Sequence, residues 1–352
     1  MKQKFNAKGC NCNSGPRRTE RTMNVNFGGG VRWVKVTVLA DNTVNPILRV
    51  DERFMGYVSH AGTAGCLGEH GLSLLLQVGA EDGTHTILFD TCGPKETVIN
   101  NMSELKVNPS SIEKVVISHG HYDHFGSLVR VMEELNSEAE VIIHPDAFSP
   151  KYALRGELPG RSVEISKETM EKLVKEGKAV RLPQLNRKQV ERVAQTRKLK
   201  IVETAGPIEL APGAWASGEI PVQHPEELSA GLYVEAGETV MPDHFNDEKS
   251  VYVKVEGKGV VVLTGCCHKG VVNTVEDAQL ISRERRVYAV IGGLHMTHAS
   301  QHHINRTIEK LKEINPKIMS PLHCSGIKFT MNLLGKLPEK TVPSAVGTTF
   351  IL

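Results

Sequence analysis

Residues 114–130, Lys-Val-Val-Ile-Ser-His-Gly-His-Tyr-Asp-His-Phe-Gly-Ser-Leu-Val-Arg, leave this chain little freedom in what it can become. Val115, Val116 and Ile117 form an apolar run that reads as a buried β-strand. Ser118 ends the run, and four metal-ligand candidates follow within six residues: His119, His121, Asp123 and His124. Imidazole nitrogen and carboxylate oxygen are ligands that zinc and iron accept, and a loop leaving a strand can turn several toward one point. His119 and His121 alternate, so an extended backbone points both the same way. Asp123 and His124, around the turn, reach a second point nearby. A solvated polar loop would account for one histidine. Three histidines and an aspartate between an apolar strand and a helix point to a metal site.

Around this stretch, 352 residues with 40% apolar and 23% charged side chains suffice for one α/β sandwich with an appendage. The formal charge of +2 gives no reason to expect a nucleic acid or a membrane surface as partner; a small-molecule substrate is expected. Arg187, Lys188, Arg192, Arg197, Lys198 and Lys200 cluster, and read as a solvated helix face. No run approaches the roughly 20 apolar residues that span a bilayer. The N-terminus has no apolar segment beside Arg17-Arg18, so a cytoplasmic protein is expected. Seven cysteines at irregular spacing fit a reducing compartment better than a disulfide framework. Cys10 and Cys12 are two thiols that do not close a site. No stretch specifies an oligomeric state.

In chain order, residues 1–32 are polar, basic and Gly-rich and are expected to be a flexible extension, with the fold over 33–352. Val34–Val38 alternates with Lys and Thr as an edge strand would. Leu72–Val78 is continuous enough in Leu to be a strand buried on both faces. Glu81-Asp82-Gly83 turns the chain, and His85–Phe89 returns as the second arm of a hairpin ending at Asp90. Residues 96–105 read as a helix, and so do 125–135, whose stripe is Leu128, Val131, Met132 and Leu135. A strand at Val141–Ile143 follows. Residues from about 146 to 200 read as a charged helical insertion or lid. Strands at 201–202 and 208–210, a hairpin at 251–255 and 259–263, and a helix at 271–281 come next. A strand at 286–291, a helix ending before Pro316, and a strand into His323 follow, and a last helix and strand close the chain.

Four β runs thus end in small-residue turns that carry donors: His119 to His124, Cys266 and His268 in Gly265-Cys266-Cys267-His268, His295 after Gly292-Gly293, and His323. In layered α/β folds the loops at one end of the strands gather distant residues into one site. Here the chain resembles the metallo-β-lactamase superfamily, over about residues 34–352. The resemblance implies a four-layer αββα sandwich with one or two divalent metals along one edge, zinc first, iron or manganese as alternatives. Under it, His119, His121, Asp123, His124 and His323 match superfamily ligands directly. Cys266 stands where most members place a bridging aspartate, with His268 an equal candidate. The usual third histidine turn is absent, so either Glu219, in Ser217-Gly218-Glu219-Ile220-Pro221, ligates or His268 substitutes. Glu69-His70-Gly71-Leu72-Ser73, the Gly-Cys-Cys-His turn and His323-Cys324-Ser325-Gly326 further resemble the dihydropteroate-synthase-like branch, a pterin-handling group.

The chemistry this implies is a metal-dependent enzyme acting on a phosphorylated or pterin-like small molecule. Either a metal-activated water hydrolyses it, or the metals help a diphosphate depart and a transferase results. Asp123 would orient the reacting group, and Asp90 would fix a ligand histidine from behind. Glu69, His70 and His295 would line the mouth, with His295 moving protons. The other readings are a hydrolase of a phosphodiester, cyclic nucleotide or lactone, and a non-catalytic metal-binding sensor whose mark would be missing ligands.

Overall fold

The computed structural model describes residues 28–155 and 164–352. The expected extension, with Cys10 and Cys12, lies outside the described residues except for 28–32. There the chain is already part of the fold, because Val31 is fully buried and donates its N–H to the Lys254 carbonyl. The first half supplies β1 (Trp33–Ala40), β2 (Val58–His60), β3 (Ser73–Gly79), β4 (Thr84–Phe89), β5 (Lys114–Val116) and β6 (Glu140–Ile143). Next come β7 (Lys151–Leu154), β8 (Ile165–Ser166), β9 (Ala179–Arg181) and β10 (Lys200–Glu203). The second half adds β11 (Ile208–Ala211), β12 (Ala214–Ala216), β13 (Leu232–Ala236), β14 (Thr239–Pro242) and β15 (Ser250–Val255). It closes with β16 (Gly259–Thr264), β17 (Val287–Gly293), β18 (Ile318–Leu322) and β19 (Thr348–Ile351). The helices are α1 (Thr97–Glu104), α2 (Tyr122–Phe125), α3 (Leu128–Met132), α4 (Lys167–Lys175), α5 (Arg187–Arg197), α6 (Val271–Ser282), α7 (Gln301–Ile314) and α8 (Gly326–Lys336).

Side-chain alternation along the strands builds the layers. One sheet runs β10-β6-β5-β4-β3-β1-β19-β2 and a second runs β11-β12-β15-β16-β17-β18. Val34, Val36, Leu74 and Leu76 of the first face Val251, Val253, Val261 and Leu263 of the second, in one core between the sheets. The alternate residues of the first sheet, Leu75, Leu88, Val115 and Val141, pack outward on α1, α3 and α5. Val260, Val262 and Val290 of the second pack outward on α6, α7 and α8. Helix, sheet, sheet, helix is the four-layer αββα order expected. Among the described residues no helix is long and apolar enough to cross a membrane.

Three expectations change. β1 is not an edge strand: it pairs with β3 on one side and β19 on the other. The alternation of Val with Lys and Thr reported one covered face, and the Thr37 hydroxyl meets that of Thr349 at 3.0 Å across the pair. The helix expected over 125–135 is two short pieces. Gly126 packs against the backbone of Gly93 and Pro94, and the Ser127 hydroxyl donates to the Gly93 and Lys95 carbonyls. Finally, the stretch expected as a helical insertion at 146–200 also holds strands. β7, β8 and β9 join β13 and β14 in a third sheet, ordered β8-β14-β13-β7-β9, with its own small core of Tyr152, Met170, Ala179, Tyr233 and Val240. The last helix of that stretch, α5, belongs to the outer layer of the first sheet.

Candidate metal centre

The parallel strands β4, β5 and β6, and β16, β17 and β18, place their carboxyl ends on one edge of the sandwich. β4 delivers Asp90 and β5 delivers His119 to His124. β16 delivers Cys266 and His268, β17 delivers His295, and β18 delivers His323. The loops need tight backbone approach: a Cβ on Gly265 would lie 2.3 Å from the Ser118 hydroxyl. Asp90, Cys267, His295 and His323 take left-handed φ of 63°, 64°, 46° and 46°, a concentration of strain that functional sites show.

The donors gather in two adjoining groups. His119, His121 and His268 form one; Asp123, His124, Cys266 and His323 form the other. In the first, His119 Nε2 lies 2.9 Å and His268 Nε2 3.2 Å from His121 Nδ1. In the second, His124 Nε2 is 3.1 Å from Cys266 Sγ and 3.7 Å from Asp123 Oδ2, and His323 Nε2 is 3.2 Å from Asp123 Oδ2. These separations are those of ligands around one ion bound at about 2.0–2.3 Å. His323 Nε2 is buried and has the Asp123 carboxylate oxygen as its neighbour, a pair of donors that one cation would join. Cys266 and His268, the two alternatives, fall one in each group, with Cys267 between them, and the two also lie together beside His295. Five imidazoles, a carboxylate and a thiolate fit zinc or iron.

Hydrogen bonds behind the rings set which nitrogen faces inward. Asp90 Oδ2 accepts from His124 Nδ1 at 2.6 Å and from the Ser118 hydroxyl at 2.7 Å. That hydroxyl, its proton spent, accepts from His119 Nδ1 at 2.9 Å. One buried carboxylate thus orients a ligand in each group. His323 Nδ1 donates to Asn42 Oδ1 at 2.9 Å, an oxygen also bound by the Gly71 N–H. Ser118, Asn42 and Cys324, whose thiol donates to the Cys266 carbonyl at 3.4 Å and accepts the His295 N–H at 3.3 Å, were not singled out from sequence. Asn42 lies 281 residues from the histidine it serves. Only the adjacency of Ser118 and Cys324 to ligand motifs could have drawn notice to those two.

Electrostatics separates the groups. Burial lowers His119 and His268 well below the ordinary histidine range, with neighbouring imidazoles adding to it. Burial, helped by Lys151, lowers His121 to about 3. The three are thus neutral and able to ligate. Burial opposes charge on His124 too, but Asp90 and Asp123 push it up to about 9. Asp123 is held well below the usual carboxylate range, its burial outweighed by His124, His323 and His70.

His70 stands at the mouth as expected, its side chain 57% exposed and its Nε2 3.3 Å from Asp123 Oδ2. His295 sets its ring 4.1 Å from that of His268, tilted by 47°, and forms a further close trio with Cys266 and His268. Glu219 joins neither group; its carboxylate lies 3.5 Å from His144 Nε2. It follows β12 by three residues, and the third histidine beside His119 and His121 is His268. Glu69 also turns away, one oxygen accepting the Lys95 N–H at 3.2 Å, so it braces the 93–95 loop.

A family model described as the metallo-beta-lactamase superfamily matches residues 68–209. A 7,8-dihydropterin-6-methyl-4-(beta-D-ribofuranosyl)-aminobenzene-5'-phosphate synthase of Methanocaldococcus jannaschii is 34% identical over 266 residues, covering 74% of this chain and 82% of the relative. An uncharacterized protein of the same organism is 28% identical over 265 residues, covering 75% and 87%. The crystal structure of Tm1679, a metal-dependent hydrolase of the beta-lactamase superfamily, superposes with a TM-score of 0.66 at 22% identity. It covers 90% of this chain and 98% of that one.

Proposed function

The chain belongs to the metallo-beta-lactamase superfamily, and from that premise we propose that it is a two-metal transferase joining a hydroxymethyl-dihydropterin diphosphate to an arylamine. The observation that carries the reading is the pair of adjoining buried donor groups, with the half-exposed His70 beside Asp123. The pterin substrate rests on the 34% identical synthase. Cations held by the two groups would supply positive charge for a departing phosphoryl group and acidity for a bound oxygen.

The chain's own residues do the rest. Asp90 and Asn42 hold His119, His124 and His323 in the tautomer that presents Nε2 inward. Asp123, the member of the second donor group that also meets His70, links site and mouth. In the reaction the methylene carbon loses its C–O bond to diphosphate and gains a C–N bond to the arylamine, whose nitrogen gives up a proton. His70 and His295 are the imidazoles beside the donors that can take that proton.

The test offers zinc-loaded protein the dihydropterin diphosphate and a phosphorylated arylamine, and follows diphosphate and coupled product. Equal release of both is expected. Diphosphate without coupling would make the protein a hydrolase; turnover of phosphodiesters or lactones with no response to the pterin would move it to another ester class. Full turnover after chelation would overturn the metal reading. His323→Ala should fold and lose more than the roughly 10–100-fold that removal of a supporting partner costs.

A further inference from the structure

His121 and His268 lack the device that orients the other ligand histidines. His119, His124 and His323 each have the outward ring nitrogen bound to Ser118, Asp90 or Asn42. His121 Nε2 and His268 Nδ1 are buried with no hydrogen-bond partner. Something else must place these two rings, and one short segment between β14 and β15 touches the backbone of both.

Asp247 and Glu248 are adjacent on that segment and each is 1% exposed. Asp247 Oδ2 accepts the N–H of Gly120, the residue between His119 and His121, at 2.8 Å. Glu248 accepts two N–H groups, from His268 itself through Oε1 and from Lys269 through Oε2 at 2.7 Å. Phe245, two residues before Asp247, stacks its ring on His268 at 4.3 Å and 3°, and lies edge-on to His121. Its φ of 52° is left-handed, and its N–H is held by Asp243 Oδ1 at 2.7 Å, so the ring is aimed by a strained and pinned backbone. Behind the segment, Lys151 Nζ from β7 lies 2.7 Å from Asp243 Oδ2 and 3.2 Å from Asp247 Oδ2. Charge-assisted acceptance of backbone N–H is among the stronger and more directional hydrogen bonds available to a protein.

We infer that Asp247 and Glu248 are positioning residues of the three-histidine group, fixing the backbone from which His121 and His268 project, with Phe245 fixing the His268 ring plane. Neither carboxylate belongs to a donor group. The inference rests on the reading that cations occupy the two groups. It assigns the groups separate supports: Asp90 and Asn42 act on rings for the Asp/His/Cys/His group, Asp247 and Glu248 act on backbone for two of the three histidines.

Cobalt(II) distinguishes the groups, because only one contains a thiolate, that of Cys266, and only its cobalt gives sulfur-to-metal charge-transfer absorption. Glu248→Gln keeps the size but sets an amide NH2 against one of two N–H donors. Titrated into the full chain, cobalt should bind the thiolate-free group about 10–100-fold more weakly in Glu248→Gln, while the affinity read from the charge-transfer band stays that of the unaltered protein. Equal weakening at both groups, or none at either, would overturn the inference. An unaltered protein that takes up no cobalt would overturn the metal reading as well. Should Glu248→Gln fail to fold, hydrogen exchange on unaltered, chelator-stripped protein decides. Gly120, His268 and Lys269 amides protected without metal support the clamp, and free exchange there refutes it.

Discussion

Asp90 is the residue on which both donor groups converge, since its Oδ2 takes one proton from His124 and another from Ser118, which in turn holds His119. Asp90→Asn presents either an oxygen that weakens these bonds or an NH2 that opposes both donors. Zinc affinity should fall about 10–100-fold, at both groups together, as read by competition with a chromophoric chelator. The contrast with Glu248→Gln, which should act on one group, separates the two kinds of support. At this scale the sequence was legible where chemistry was dense. Four donors in six residues after an apolar run leave few readings, and the structure gathers His119, His121, Asp123, His124 and His323 at one edge of the sandwich. The partition between Cys266 and His268 was not legible, because it depends on the left-handed turn at Cys267, and nothing in the residue type announces one. The partners of Glu219 and Glu69 were hidden for a similar reason: a carboxylate beside a motif says nothing of whether it faces a cation, a histidine such as His144, or a backbone N–H.

Among the elements, those with several turns or a clear period of two were readable, as α6, α7 and the β15–β16 hairpin illustrate. The strands of the third sheet were not. β8 spans Ile165–Ser166 and β9 spans Ala179–Arg181, too short to display alternation, and β7 finds its partner where Tyr152 meets Tyr233. Edge or interior position was equally hidden for β1, since a side-chain pattern reports which faces are covered and not which backbones are paired. Where elements meet at the site, the spacing is set by backbone contact. Gly265→Ala would drive a Cβ to 2.3 Å from Ser118 Oγ and 2.9 Å from Asp90 Oδ2, forcing β16 and β5 apart. A loss of about 1–3 kcal/mol in chemical denaturation is expected, as overpacking of a filled core costs, together with loss of zinc from the group containing Cys266.

For the molecule as a whole, the third sheet is fastened to the sandwich by a buried ion cluster. Lys151, 3% exposed, meets Asp243 and Asp247. Lys151→Ala leaves two carboxylates buried without their cation, and should cost about 3–5 kcal/mol in a denaturant titration. Lys167→Ala, which removes the solvent-facing partner of Glu235, should leave the denaturation midpoint close to that of the unaltered protein and serves as the control. The attachment has a further consequence through the chain path. β7, β8 and β9 leave between β6 and β10, whereas β13 and β14 leave between β12 and β15, so the third sheet is stitched from both halves of the sandwich. The same pairing ties the segment that carries Asp247 and Glu248 to strands contributed by the first half, so a cut or insertion that loosens the small sheet is expected to be felt at the backbone of Gly120 and His268 before it disturbs either main sheet.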